Sequence, residues 1–281
     1  MIPRPAAGRR LTNVVVSVLA SLSAILGMVI LAWIVWEVLV RGLGAFDLAF
    51  FTQLPTPPGV GGGGLANAIV GTLVLTMVAT LVAVPLGLLA GVYLAEFSGE
   101  ARAADYSRFS ANVLMGMPSI IVGVFAYAMV VVPLGRFCGY AGALALAILM
   151  LPVVTRTTED MLRLVPNTLR EAALALGAPR WRVILSVVFR AAKAGLITGT
   201  LLAVARVSGE TAPLLFTALN SPYMMTSLGQ PTPNLTVTIF NYAMSPYPDW
   251  QQKAWGASLL ITGGVLAMTL LTRYILGDRK R

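Results

Sequence analysis

The chain has no histidine and a single cysteine, Cys138. That removes an imidazole general base, a His/Cys metal centre and an internal disulfide together. Charge is scarce too. Only 11% of the 281 residues are charged, with 11 acidic residues against 20 basic ones; a soluble domain carries about 25%. No Gly-Lys-Ser/Thr follows the run Gly61-Gly62-Gly63-Gly64, so it is not a phosphate-cradling P-loop. It reads as a flexible or tightly turning loop. No nucleotide site is legible, and no cofactor or metal is expected on this chain. If ATP drives the protein, another subunit binds it. With these gaps, the few carboxylates within the apolar runs argue against an intramembrane enzyme.

What the sequence does have is grease: 57% hydrophobic residues and a mean hydropathy of +0.82. Apolar runs from about Val14 to Val40, Leu65 to Leu94, Val113 to Pro133, Tyr140 to Val154, Ala191 to Leu219 and Ala254 to Leu276 predict six spans. The fold class is therefore all-α membrane. Residues 14–276 form one domain between short ends, 1–13 and 277–281, and 96–110 read as a polar loop. The first run is longer than the about 7–15 apolar residues of an export signal, so Arg9-Arg10 introduce a retained signal-anchor helix. Trp33 and Trp36 sit near its far end, as interfacial aromatics do. Pro85 is placed to kink the second span, where Gly87 and Gly91 form a small-xxx-small pair for close packing.

The net charge of +9 suggests nucleic acid or anionic lipid until its distribution is traced. With the N-terminus inside, 16 of the 20 Lys and Arg fall inside, leaving Arg41, Arg136 and Lys253 outside and Arg206 within a span. That asymmetry obeys the positive-inside rule, and it puts both termini and the loop after the fourth span in the cytoplasm.

That loop, Glu159 to Lys193, is polar, basic and still helical in pattern. Thr168-Leu169-Arg170-Glu171 reads as a capping box. Leu169, Ala172, Ala173 and Leu176 share one helical face. Gly177 sits where a helix end wants a left-handed residue, and Pro179 suits the first turn of a second short helix. An amphipathic helix on the membrane surface and a helix-turn-helix share this spacing, but flanking spans argue against DNA binding. Glu171-Ala172-Ala173, with Gly177 four residues on, resembles the EAA loop of ABC-transporter permeases. The resemblance implies a coupling helix, within about 159–190, that docks on an ATPase subunit. The I-x-L-P tail of that motif is not kept: Val187, Phe189 and Arg190 stand there.

The fifth span carries Arg206-Val207-Ser208-Gly209-Glu210-Thr211-Ala212-Pro213. A lone arginine at mid-bilayer costs about 2.5–3.5 kcal/mol. Arg206 and Glu210, four apart, are expected to face each other on one helix side and offset part of it. Two readings stand: an ion pair locking this helix to a neighbour, or a polar path for an anion, lined by Arg206, Ser208, Glu210 and Thr211. Arginine's planar fork suits an oxyanion. Arg156 is a second candidate on such a path, or an ordinary positive-inside anchor.

Longer strings narrow this. Arg206 to Asn220, Thr155-Arg156-Thr157-Thr158-Glu159, Gly62 to Ala68, Pro118-Ser119-Ile120 and Met244-Ser245-Pro246 together resemble the PstA-type phosphate permease family over almost the whole chain. The resemblance implies a six-span MetI-like permease paired with a homologous permease, PstC. It further implies two copies of the ATPase PstB, which bind ATP and Mg, and a periplasmic phosphate-binding protein, PstS, docking above. Arg206 is then expected to attract inorganic phosphate, and Glu210 to orient Arg206. A permease half for sulfate or phosphonate is the same-class alternative. A secondary transporter should show internal repeats and work alone; no repeat is evident.

Overall fold

The computed structural model describes residues 6–99 and 101–277. Arg4 and the basic tail Arg279-Lys280-Arg281 lie outside them. Every regular element among the described residues is helical.

α1 (Ala6–Leu43) is a single apolar helix that packs along the last helix of the chain, where Gly42 lies against Leu259. A tight connection follows. Asp47 caps the short α2 (Leu48–Thr52) by accepting from Phe50 N at 2.6 Å, and Gly64 N donates back to Leu54 O at 3.0 Å. Gly62 and Gly63 have φ of +83° and +72°, conformations open to glycine without penalty. Of the two alternatives left by the sequence, this loop is the turning one. α3 (Ala66–Val92) crosses back and widens into a π turn at Tyr93–Phe97.

α4 (Arg102–Gly116) replaces the polar loop expected over 96–110. Its residues are polar but hold no breaker between Ala101 and Gly116, and Asp105 and Arg108 pair one turn apart, so polarity here marks a helix face. Pro118 ends it: Met117, before the proline, is extended, and the chain bends by 103°. α5 (Ser119–Ala126), a π turn at Tyr127–Val131 and α6 (Val132–Leu134) complete that arm.

α7 (Gly139–Arg163) is the centre of the molecule. It extends nine residues beyond the expected end at Val154, so the Thr155–Glu159 string is inside the helix and not in a loop. Its alanines and glycines let neighbours approach closely. Ala143, Leu146, Met150 and Val154 form the main core with Leu75 and Ala79 of α3. The expected small-residue pair of α3 meets it directly. A Cβ on Gly87 would stand 2.8 Å from Val154 Cβ, and one on Gly91 2.5 Å from Thr158 Cβ.

α8 (Asn167–Ala175) follows, and α9 (Arg180–Arg182) runs through a π segment, Val183–Val188, into α10 (Phe189–Ser208). The fifth span thus begins near Arg180 and ends at Ser208, where 191–219 was expected. Pro213 cannot donate to the carbonyl of Gly209, and glycine is itself a poor helix residue, so the helix stops there. Instead of two short helices, the basic segment holds one short helix and the opening of a spanning one. α11 (Ala212–Leu215), α12 (Leu235–Ala243) and α13 (Pro248–Gly277) close the chain. Among the described residues five helical runs are long and apolar enough to cross a membrane, or six when the bent α4–α6 arm is counted as one span.

Candidate translocation site and coupling loop

Arg206 stands in the last turn of α10, exposed, and its guanidinium has no hydrogen-bond or ion-pair partner among the described residues. The expected pair with Glu210 is not formed. That pairing needed one continuous helix, and the helix ends between the two residues. Glu210 is half-buried, and its backbone carbonyl accepts from Thr236 Oγ1 at 2.9 Å. Ser208 Oγ donates to Ala205 O at 2.8 Å, while Thr211 opens α11 without a side-chain cap.

The chain after the break is pinned rather than loose. Asn234, fully buried, caps α12 by accepting from Val237 N at 2.9 Å and donates through Nδ2 to Leu219 O at 3.0 Å. Leu219 has φ +57°, the left-handed region where a side chain is strained by roughly 1–2 kcal/mol. Asn67 Nδ2, from the start of α3, donates to Ser221 O at 2.8 Å. These bonds fix where the Gly209–Thr211 turn sits.

Arg156 is elsewhere in depth. Gly199 of α10 packs on Thr157 of α7. Arg206 lies seven residues further along α10, about 10 Å of helix. The two arginines therefore mark two levels of one membrane body. Arg156 is bound to Glu159, Nη1 to Oε2 at 2.6 Å. Glu159 is fully buried and also receives Arg108 at 2.7 Å and Arg163 at 2.9 Å. Asp105, 2.9 Å from Arg108, and Asp160, 3.9 Å from Arg156, balance the three guanidinium groups with three carboxylates. A buried carboxylate is tolerable only when paired and hydrogen-bonded to this degree.

Neither Glu159 nor Arg108 is singled out by the sequence pattern, the second because it falls in the 96–110 stretch that reads as a polar loop. Two signals were available. Glu159 is one of only 11 acidic residues, and Arg156 and Arg163 lie three before and four after it, at helical spacing.

The coupling-like segment holds its shape through its backbone. α8 starts at Asn167 behind Pro166, so Thr168 is already inside the helix and makes no capping bond. The expected capping box is absent because the proline sets the start earlier. The end is as expected. Gly177 has φ +80°, Gly177 N donates to Leu174 O at 2.9 Å, and Ala178 N donates to Ala173 O at 3.2 Å. This is the paired closure of a Schellman turn. Ala173 packs inward, while Glu171 and Ala172 face out, and Glu171 has no partner among the described residues. Leu174 and Leu176 are also exposed, at 47% and 89%, which leaves an apolar surface beside the acidic group.

This architecture has solved counterparts. A chain of the inward-facing MetNI methionine ABC transporter superposes with a TM-score of 0.64 at 20% identity, covering 77% of this chain and 96% of that one. The fold is therefore that of the MetI-like ABC-transporter permeases. At the level of sequence, residues 83–277 match the binding-protein-dependent transport system inner membrane component, and the chain belongs to that family. The phosphate transport system permease protein PstA of Yersinia pestis is 47% identical over 274 residues, covering 98% of this chain and 93% of that protein. The protein of the same name from Haemophilus influenzae is 45% identical, covering 97% of this chain and 96% of its own length.

Proposed function

We propose that this chain is the membrane permease subunit of an ATP-driven importer of inorganic phosphate and forms half of its translocation pore. The observation that carries this reading is the 47% identity, across 98% of the chain, to a phosphate transport permease. The geometry supports it. Arg206 offers an unpaired guanidinium at a helix break inside the membrane body, and a donor fork of that kind suits a tetrahedral oxyanion. Ser208, Glu210 and Thr211 make the same turn polar. Arg156 stands a second level along the path. Its carboxylate partner keeps it from binding an anion tightly, as a conducting site requires. The α8 surface around Glu171, Ala172, Ala173 and Gly177 couples to the ATPase.

The chain performs transport, and ATP with Mg binds the partner ATPase. The partners are a homologous permease of the PstC type, two PstB-type ATPases and a PstS-type periplasmic phosphate-binding protein. The protein sits in the bacterial inner membrane with both termini cytoplasmic.

The test is reconstitution of the four-component complex in liposomes with labelled phosphate, ATP and excess sulfate. ATP-dependent, sulfate-resistant uptake that is lost in an assembled Arg206→Gln complex is the expected result. Normal uptake by that variant would remove Arg206 from the path. Uptake of sulfate instead would overturn the substrate and leave the permease. Unchanged assembly and uptake in Glu171→Lys would overturn the coupling role of α8.

A further inference from the structure

At the end of the molecule that carries α8, the closing turn of α3 is tied to the loop by one side chain. Glu96, in the π turn after α3, is 8% exposed. Arg170 of α8 meets it with two nitrogens, Nη2 at 2.7 Å and Nε at 3.2 Å from Oε1. The same guanidinium donates to Leu162 O at 2.8 Å, to Val165 O at 2.5 Å and to Asn167 Oδ1 at 3.2 Å. It thus binds carbonyls at and just beyond the end of α7 while holding the end of α3. Arg180, at the start of the fifth span, donates to the backbone carbonyl of Glu96 at 2.6 Å and lies over the Phe97 ring at 5.3 Å. Three helix ends and α8 therefore converge on residue 96.

We infer that the Glu96–Arg170 ion pair is the joint through which displacement of α8 reaches the spanning helices. This rests on the reading of α8 as the ATPase-coupling element. The geometry argues for it in two ways. First, α8 has few other holds. None of its residues is fully buried, and Ala173 is its contribution to the local apolar cluster. Second, what lies behind Glu96 is stiff. α3 is interlocked with α7 at Gly87 and Gly91, and Arg108 binds Leu94 O and Ser98 Oγ at 3.1 Å each while holding Glu159. A push on Arg170 is thus delivered to a rigid pair of helices next to the Arg156 level of the path. Glu96 and Arg170 are positioning residues and touch no substrate. Arginine is required at 170 because a lysine ammonium lacks the planar fork that serves the carboxylate and the helix-end carbonyls together.

The experiment measures phosphate uptake and ATP hydrolysis side by side in proteoliposomes of the complete complex, for wild type, Glu96→Gln, Glu96→Asp and Arg170→Lys. A stapling role alone would lower the yield of assembled complex and leave uptake per ATP unchanged. A joint lowers that ratio. Glu96→Gln and Arg170→Lys are expected to reduce uptake per ATP about tenfold, while Glu96→Asp, which keeps the charge, stays within about threefold of wild type. A wild-type ratio in Glu96→Gln overturns the inference. If Glu96→Gln does not assemble, a wild-type ratio in Arg170→Lys overturns it equally. Failure of the importer reading itself would show in the wild-type arm, as hydrolysis without phosphate uptake.

Discussion

Replacing Glu159 with glutamine keeps the side-chain shape and removes the charge. The carboxylate is fully buried, and its partners differ in exposure: Arg108 is 18% exposed, Arg156 25% and Arg163 52%. The half-exposed Arg163 contributes little, because water and salt screen it. The loss therefore falls on Arg108 and Arg156, whose guanidinium groups would remain in a mostly dry site without their shared anion. Removing one member of a buried pair destabilises by about 3–5 kcal/mol. For a chain of this size each kcal/mol lowers the melting temperature by about 2–4 °C, so Glu159→Gln is expected to melt about 6–20 °C below wild type. Tryptophan fluorescence of the detergent-purified protein reads this directly. A second variant sharpens the reasoning. Arg108→Met with Glu159→Met removes charge of both signs and should melt no lower than Glu159→Gln. A drop under about 2 °C for Glu159→Gln would refute the account, since it would mean that the arginines find equal partners elsewhere.

Other consequences follow from the same structure. Gly91→Val would force side-chain atoms into Thr158 and the Thr155 carbonyl, and overpacking of this kind costs about 1–3 kcal/mol, visible in the same melting assay. Asn234→Ala removes the α12 cap and the bond to Leu219, costing about 1–2 kcal/mol, and should raise hydrogen exchange across residues 209–238. Gly177→Ala meets no side-chain obstacle, so its penalty is the left-handed backbone alone, about 1–2 kcal/mol, read as faster exchange confined to 173–179. Burial against Trp250 pushes the Tyr242 phenol up to about 12 from 10.0. Its contribution to stability is complete below pH 10 and lost as pH rises toward 12. Ultraviolet titration should therefore show one of the eight tyrosines ionising late.

The spans and the close-packing glycines were readable because hydropathy and small-residue spacing are local signals. Gly87, Gly91 and Gly177 do what their positions implied. Two of the differences share one source. Polarity along the chain reads as a loop, which hides α4 and cuts α7 short at Val154. In a membrane protein a helix can carry charge wherever a neighbour supplies the opposite sign, and the neighbour is not visible along the chain. Glu159 finds Arg108 from 51 residues away, and Glu96 finds Arg170 from 74. The Arg206–Glu210 pairing failed for the opposite reason: the sequence spacing was right for a helix, and Pro213, already noted, had stopped that helix one turn earlier.

The interlocks that let α3, α7 and α10 approach also set the mechanical compliance of the subunit. Thr158 fills the space at Gly91 and Thr157 the space at Gly199, so one turn of α7 is keyed into a helix on either side. Keyed helices cannot slide past each other without lifting apart. Bending within the subunit is therefore left to points where a helical rod is cut, such as Met117-Pro118, where the chain turns by 103°. Arg206 rides in the last turn of α10, just before the pinned Gly209–Thr211 break, so its guanidinium is carried on a keyed helix.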